Sequence, residues 1–117
     1  MIVYKQVISE DNLNAVSIQD FYYRNTQYES TGGTGIRGLS RQYLKQGKII
    51  DRRITLYNDG NTLEIITIFK DKTSWKEFMQ EELHNEAIEF FYQRNFTLKT
   101  ETYEILEEIS LRKETYE

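Results

Sequence analysis

The chain has 117 residues and a formal net charge of −4, a size typical of one domain. It contains no cysteine and one histidine, which excludes disulfides, iron–sulfur clusters, thiolate catalysis and a multi-histidine metal site within one chain. No apolar stretch approaches the ~20 residues of a membrane span, and Lys5 interrupts the apolar start, so we predict no signal peptide and a cytoplasmic location. The residues indicate neither a metal nor a cofactor.

The first part of the chain predicts a strand, a helix, a loop and a second strand. Residues 2–8 are rich in β-branched side chains and predict the first strand. Apolar residues at helical spacing predict an amphipathic helix over about 11–27. The glycines of Gly32–Gly38 predict a loop. From Leu39 to Lys45 residue types alternate, which predicts a strand.

The second part predicts a hairpin, a helix and a final strand. An Asp-Gly turn at 58–61 joins strands over 49–57 and 62–69, and the second of these is apolar on both faces, as in a central strand. The pair Ser74 and Glu77 has capping-box spacing and predicts a helix that continues to about residue 94, with Asn85 as an open alternative for a break. Residues 96–106 alternate and predict the last strand.

This order, β-α-β-β-β-α-β, predicts an α+β fold of the ferredoxin-like type, with an antiparallel sheet and helices on one face. We assign residues 1–106 to this domain and residues 107–117 to a charged C-terminal tail or arm.

The strand Leu63–Phe69, the segment Lys70–Phe78 that follows it and the closing strand to Leu106 resemble the dimeric α+β barrel superfamily. The best-known branch is the antibiotic-biosynthesis monooxygenase-like proteins. The resemblance implies two subunits with their sheets face to face and a pocket between each sheet and its helices. It also implies cofactor-free oxygenation as the leading enzyme activity. The insertion at 36–48 departs from the compact pattern of the family.

A homodimer is also expected on physical grounds. Helices on one face leave the other face of the sheet open, and strand alternation places apolar residues there. The predicted members of this open face are Ile49, Thr55, Tyr57, Ile66 and Ile68. Such a face is rarely left in water, and a second copy of the chain would cover it. The alternative is that the C-terminal tail, with Ile109 and Leu111, folds across it.

Two polar residues stand out as candidate site residues. Arg52 shares a predicted strand face with Ile50 and Ile54, so its guanidinium must pair with a carboxylate or bind an acidic ligand. His84 is predicted to be exposed or half-exposed among glutamates, which favour the charged imidazolium and weaken it as a haem ligand. An acid or base in a pocket is the alternative for His84.

The aromatic residues form the remaining candidate set, either as core or as walls of a ligand pocket. This set comprises Tyr4, Tyr22, Trp75, Phe78 and Phe91. The predicted function is therefore binding of a small, largely apolar and possibly acidic molecule in a helix–sheet pocket, with monooxygenase-like chemistry as the enzyme hypothesis. A non-catalytic binding or structural module is the alternative.

Two further interpretations are disfavoured. Six basic residues between 37 and 53, with Tyr43 and Tyr57, raise the possibility of an RNA-binding sheet, but the net charge of −4 argues against nucleic acid. Gly33–Gly38 matches the G-x-G-x-x-G pattern, yet a predicted helix precedes it and a strand follows, the reverse of a dinucleotide site. A mobile lid over the pocket is the alternative for this segment.

Overall fold

The structure is a computed structural model and describes residues 1–10, 18–19, 22 and 35–107. Its strands and helices are β1 (Ile2–Ser9), α1 (Gly35–Lys45), β2 (Ile49–Leu56), β3 (Thr62–Phe69), α2 (Lys72–Gln80), α3 (Glu82–Gln93) and β4 (Thr97–Glu104). The helix predicted over 11–27 lies outside the described residues except at Ile18, Gln19 and Tyr22, which are helical. Residues 31–34 and 108–117 also lie outside them. None of the helices in the described part is long and apolar enough to cross a membrane.

The four strands form one antiparallel sheet in the order β2-β3-β1-β4. This order and the α+β composition confirm the predicted ferredoxin-like class. Strand β3 is central, as its apolar sequence indicated, and the hairpin between β2 and β3 is also confirmed. Its turn closes with Tyr57 N–H donating to the Thr62 carbonyl (3.0 Å), and Gly60 adopts a positive φ of 70°. That conformation favours glycine.

The strand predicted from Leu39 to Lys45 is wrong, because these residues lie in helix α1. Leu39, Ser40 and Tyr43 are its buried residues, at the three- and four-residue spacing of one helix face. Among the residues that the structure describes, the sheet therefore has four strands where five were expected. Gly35 begins the helix with a φ of 64°, so residues 35–38 of the predicted glycine loop belong to α1.

A β-bulge in β2 corrects the predicted faces of this strand. Ile49 pairs with Phe69, and Asp51 pairs with Ile68, the residue adjacent to Phe69 on β3. Ile50 is therefore the extra residue. A bulge of this kind shifts the alternation by one residue. Ile49 is thus buried with the helices, at 2% exposure, and Ile50 is 51% exposed, the reverse of the prediction.

The second helical region begins earlier than predicted and is divided in two. Asp71, not Ser74, is the N-cap of α2: its Oδ1 accepts from the Ser74 N–H at 2.8 Å. The break lies at Glu81, whose extended backbone separates α2 from α3, and not at Asn85. Because of this break, His84 lies on a separate helix, α3, and not on a continuation of α2.

Candidate functional site

A cavity of about 320 Å³ lies between the sheet and helices α1 and α3. Its volume falls within the range of small-molecule sites. From the sheet it is lined by Gln6, Arg52, Ile54 and Ile65, and the helices add Ile36, Arg37, Ser40, Arg41, Leu44, Phe78, His84, Ala87, Ile88 and Phe91. None of these described lining residues is acidic. The cavity is therefore a mainly apolar space with a positively charged wall.

Arg52 contacts its direct partner on the neighbouring strand β3: its Nη1 donates to Thr67 Oγ1 at 2.7 Å. The guanidinium also lies 6.0 Å from the centroid of the Phe78 ring. Burial lowers its pKa to about 10, and the Tyr4 phenol opposes this shift. Within the part of the chain that the structure describes, no carboxylate pairs with it, so the expected structural ion pair is wrong for these residues. A guanidinium has five N–H donors, and a single bond leaves most of them available.

His84 is 7% exposed, in contrast to the predicted exposed position. Its Nδ1 lies 3.2 Å from Asn85 Oδ1, and its Nε2 lies 3.1 Å from the Tyr4 hydroxyl. Because Asn85 Oδ1 can only accept, Nδ1 carries the proton and Nε2 accepts from Tyr4. Burial lowers the pKa of His84, the Asn85 bond opposes this, and the Arg52 charge lowers it further. The ring is therefore neutral, not the imidazolium predicted from its glutamate neighbours.

The same environment keeps the Tyr4 phenol protonated, so that its hydroxyl can donate to His84. Burial raises its pKa to about 12, although the positive charge of Arg52 acts in the opposite direction. Tyr4 itself is 4% exposed and packs in the cluster that contains Phe69 and Phe78. The phenol, the imidazole and the Asn85 amide thus form a chain of hydrogen bonds between neutral groups beside the half-buried Arg52 cation.

The structure brings four of the seven predicted site residues to the cavity: Arg52, Phe78, His84 and Phe91. Tyr4 contacts the cavity through His84. The other two lie elsewhere, because Trp75 packs against the cluster of Tyr4 and Phe78, and Tyr22 packs against the cluster of Ile8 and Phe91.

Sequence reasoning missed Gln6 and the residues of α1. Gln6 alternates with Tyr4 and Ile8 on the buried face of β1, so a polar residue at an apolar position was the available signal. The contribution of Arg37 and Arg41 was hidden by the incorrect strand. The basic sheet surface considered for RNA is also wrong, because its residues divide between α1, the following turn and both faces of β2.

Solved structures share this fold over nearly the whole chain. A proposed antibiotic biosynthesis monooxygenase of Deinococcus radiodurans superimposes with a TM-score of 0.67 and 12% identity, over 95% of this chain and 98% of its own. A variant of SnoaB, a cofactor-independent oxygenase from Streptomyces nogalater, gives 0.60 and 6%, over 92% and 95%. A dimeric ferredoxin-like protein from an uncultured marine organism gives 0.58 and 10%, over 94% and 99%.

These similarities confirm, at the level of the fold, the resemblance inferred from the sequence: the chain has the ferredoxin-like α+β fold of antibiotic biosynthesis monooxygenase-like proteins. No protein-family model and no curated protein sequence matches the chain. One fold supports many activities, so the fold alone does not define the function.

Proposed function

We propose that this protein is a homodimer that binds a small, largely apolar acid in the cavity between its sheet and helices α1 and α3. The observation that carries this proposal is the Arg52 guanidinium, which lies half-buried at the cavity wall with one hydrogen bond and no carboxylate partner among the described residues. A cation that is withdrawn from water without an ion pair loses part of its hydration, and a ligand anion would compensate for that loss.

The cavity limits the size and the character of this acid. Its volume of about 320 Å³ equals roughly ten water volumes, which accommodates on the order of 10 to 15 non-hydrogen atoms. Its branched aliphatic walls, which include Ile54, Ile65 and Ile88, favour an apolar body. A carboxylate attached to such a body would accept hydrogen bonds from the guanidinium.

Decanoate is a suitable probe for this proposal, because it combines a carboxylate with an apolar chain of the right size. Isothermal titration calorimetry should detect binding to the wild-type protein. We expect Arg52→Met to weaken it roughly 10- to 100-fold, the effect of losing hydrogen bonds between charged groups. Arg94→Met removes the same charge from an exposed position and should leave the affinity unchanged. Equal affinities of all three proteins would contradict the proposal.

The homodimer is supported by the outer face of the sheet. Alternation along the strands places Ile66, Ile68 and Tyr103 on this face, opposite the helices; Ile66 and Ile68 are partly exposed and Tyr103 is 50% exposed, whereas Val3 between them is already buried. Tyr57, which follows β2, is 44% exposed. A second copy would bury this apolar surface against its own equivalent across a two-fold axis. One structural neighbour is a dimeric ferredoxin-like protein.

Cofactor-independent oxygenation is the second candidate function, favoured by the perturbed groups that face the cavity. Arg52 and the neutral His84 both have lowered pKa values there, and such groups occur most often at sites of chemistry. The guanidinium would stabilise the anion of an electron-rich phenolic acid. Caffeate is the test substrate: we expect wild-type protein without added metal to raise oxygen uptake above the spontaneous rate, and Arg52→Met to remove the increase. No increase would remove this function and leave the binding proposal standing.

A further inference from the structure

We infer that the ligand carries a second oxygen function, a neutral hydroxyl or carbonyl group a few bonds from its acid group, and that Gln6 is the residue that recognises it. This inference rests on the proposed function, because it assumes that the acid group is bound by Arg52.

Gln6 is a polar side chain on the buried face of β1. This residue is 4% exposed and lines the cavity from strand β1. Its side-chain amide forms no hydrogen bond within the part of the chain that the structure describes. The amide therefore faces the cavity, where a ligand group could pair with it, whereas an apolar residue of similar shape would offer no such pairing. An amide can both donate and accept, so it can bind either a hydroxyl or a carbonyl group.

The strand register places this amide beside the cation. Thr67, which accepts the hydrogen bond from Arg52, is paired with Tyr4 across β3 and β1. Gln6 is two residues further along β1 on the same face, so it is a diagonal neighbour of Thr67. Diagonal neighbours on one sheet face lie about 7–8 Å apart. One ligand can therefore contact the guanidinium and the amide at once through two oxygens separated by a few bonds.

The surrounding groups do not compete for this amide. Ile65 is the direct partner of Gln6 on β3, and Ile54 follows it on β2. The nearby Tyr4 and His84 bond to each other and to Asn85. Thr100, the partner of Gln6 on β4, is exposed. On the sheet side of the cavity, polar recognition is thus left to Arg52 and Gln6, while Arg37, Ser40 and Arg41 lie on the helix side. An oxygenated acid with an aliphatic body fits this arrangement.

The experiment compares decanoate with two hydroxylated forms of it by calorimetry. β-Hydroxydecanoate has its hydroxyl close to the carboxylate, and ω-hydroxydecanoate has it at the far end. We expect the β-hydroxy acid to bind the wild-type protein roughly three- to tenfold more tightly than decanoate, which is the gain from one hydrogen bond. The ω-hydroxy acid should bind no more tightly than decanoate, because its hydroxyl lies too far from a carboxylate held by Arg52 to reach Gln6.

The Gln6→Leu variant replaces the amide with an apolar side chain of similar size and should fold normally. It should bind decanoate as the wild type does and lose the preference for the β-hydroxy acid. If decanoate binds and the β-hydroxyl brings no gain in the wild type, or if Gln6→Leu keeps the gain, the inference about Gln6 is overturned and the proposed function stands. If no acid in the series binds, both fail.

Discussion

The hydroxyl of Tyr4 donates to Nε2 of His84 over 3.1 Å, in a buried contact between residues 80 positions apart in the chain. The bond connects the sheet to helix α3 at the side of the cavity. It also fixes the tautomer of the only histidine, since Asn85 holds the proton on Nδ1. The stability of the protein should therefore depend on this ring remaining neutral.

Stability should fall as the pH drops below the ordinary histidine pKa of 6.5, because burial lowers the pKa of folded His84. In the window between 6.5 and the folded pKa, the unfolded chain binds a proton that the folded chain does not. The free energy of unfolding therefore decreases toward low pH, by at most about 1.4 kcal/mol per pH unit for one proton. Urea denaturation from about pH 7 to 5 measures this slope.

His84→Gln is the control for this titration and should flatten the profile in that window. The carboxyls of Asp59 and Asp71, whose pKa values lie below 3.8 because of hydrogen bonds to their neighbours, lose their contributions only at still lower pH. A wild-type profile that is flat from pH 7 to 5 would show that His84 is not held neutral by the fold.

Tyr4→Phe should destabilise the protein by about 1–2 kcal/mol, because it leaves Nε2 of a buried histidine without its donor. Tyr92→Phe removes a hydroxyl from a side chain on α3 that is 57% exposed and lies away from the proposed dimer face, and it should change the stability by less than about 0.5 kcal/mol. Thermal or urea unfolding of both variants makes the comparison. Equal effects of the two substitutions would mean that the Tyr4 hydroxyl contributes nothing beyond packing.

Ile66→Glu should convert the dimer to a monomer that remains folded. Ile66 lies on the outer face between Arg53 and Lys5, its partners on the two flanking strands, so a carboxylate there gains two cationic neighbours within the monomer. In a dimer the same carboxylate would be buried against the second sheet. Tyr92→Glu, at a side chain on α3 that is 57% exposed, should leave the dimer intact.

Light scattering coupled to size exclusion measures the mass of each of these proteins. A wild-type protein that is monomeric at micromolar concentration would contradict the proposed dimer. A dimer that survives Ile66→Glu would place the interface on another surface.

Asp71→Ala should cost about 1 kcal/mol of stability, because it removes the side-chain acceptor for the Ser74 N–H at the start of α2. Lys70→Ala, at the preceding exposed residue, should have little effect. Chemical denaturation separates the two. If both substitutions are neutral, the helix does not depend on this cap.

The sheet was predictable from sequence where one pattern dominates. Strand β3 has apolar residues on both faces and an Asp-Gly turn before it, so its position and its hairpin followed from local chemistry. Helix α1 was not, because Arg41, Gln42 and Lys45 around Tyr43 satisfy both a two-residue and a helical period. Only the packing of Leu39 and Tyr43 decides between them.

The candidate site was predictable only in part, for a similar reason. A charged residue on an apolar strand face is visible in the sequence, and this pattern pointed to Arg52, which lines the cavity. The burial of His84 depends on the break at Glu81 and on Tyr4, which lies far away in sequence, so the acidic neighbours along the helix misled the prediction. Long-range contacts of this kind leave no local pattern.

The most direct test of the anion site is the nitrogen-15 NMR signal of the Arg52 side chain, assigned by its absence in Arg52→Met. On addition of decanoate we expect its Nε–Hε resonance to move downfield and to saturate at the affinity found by calorimetry, while the exposed Arg53 on the opposite face shows no such shift. An Arg52 resonance that stays in place while decanoate binds would contradict the central claim.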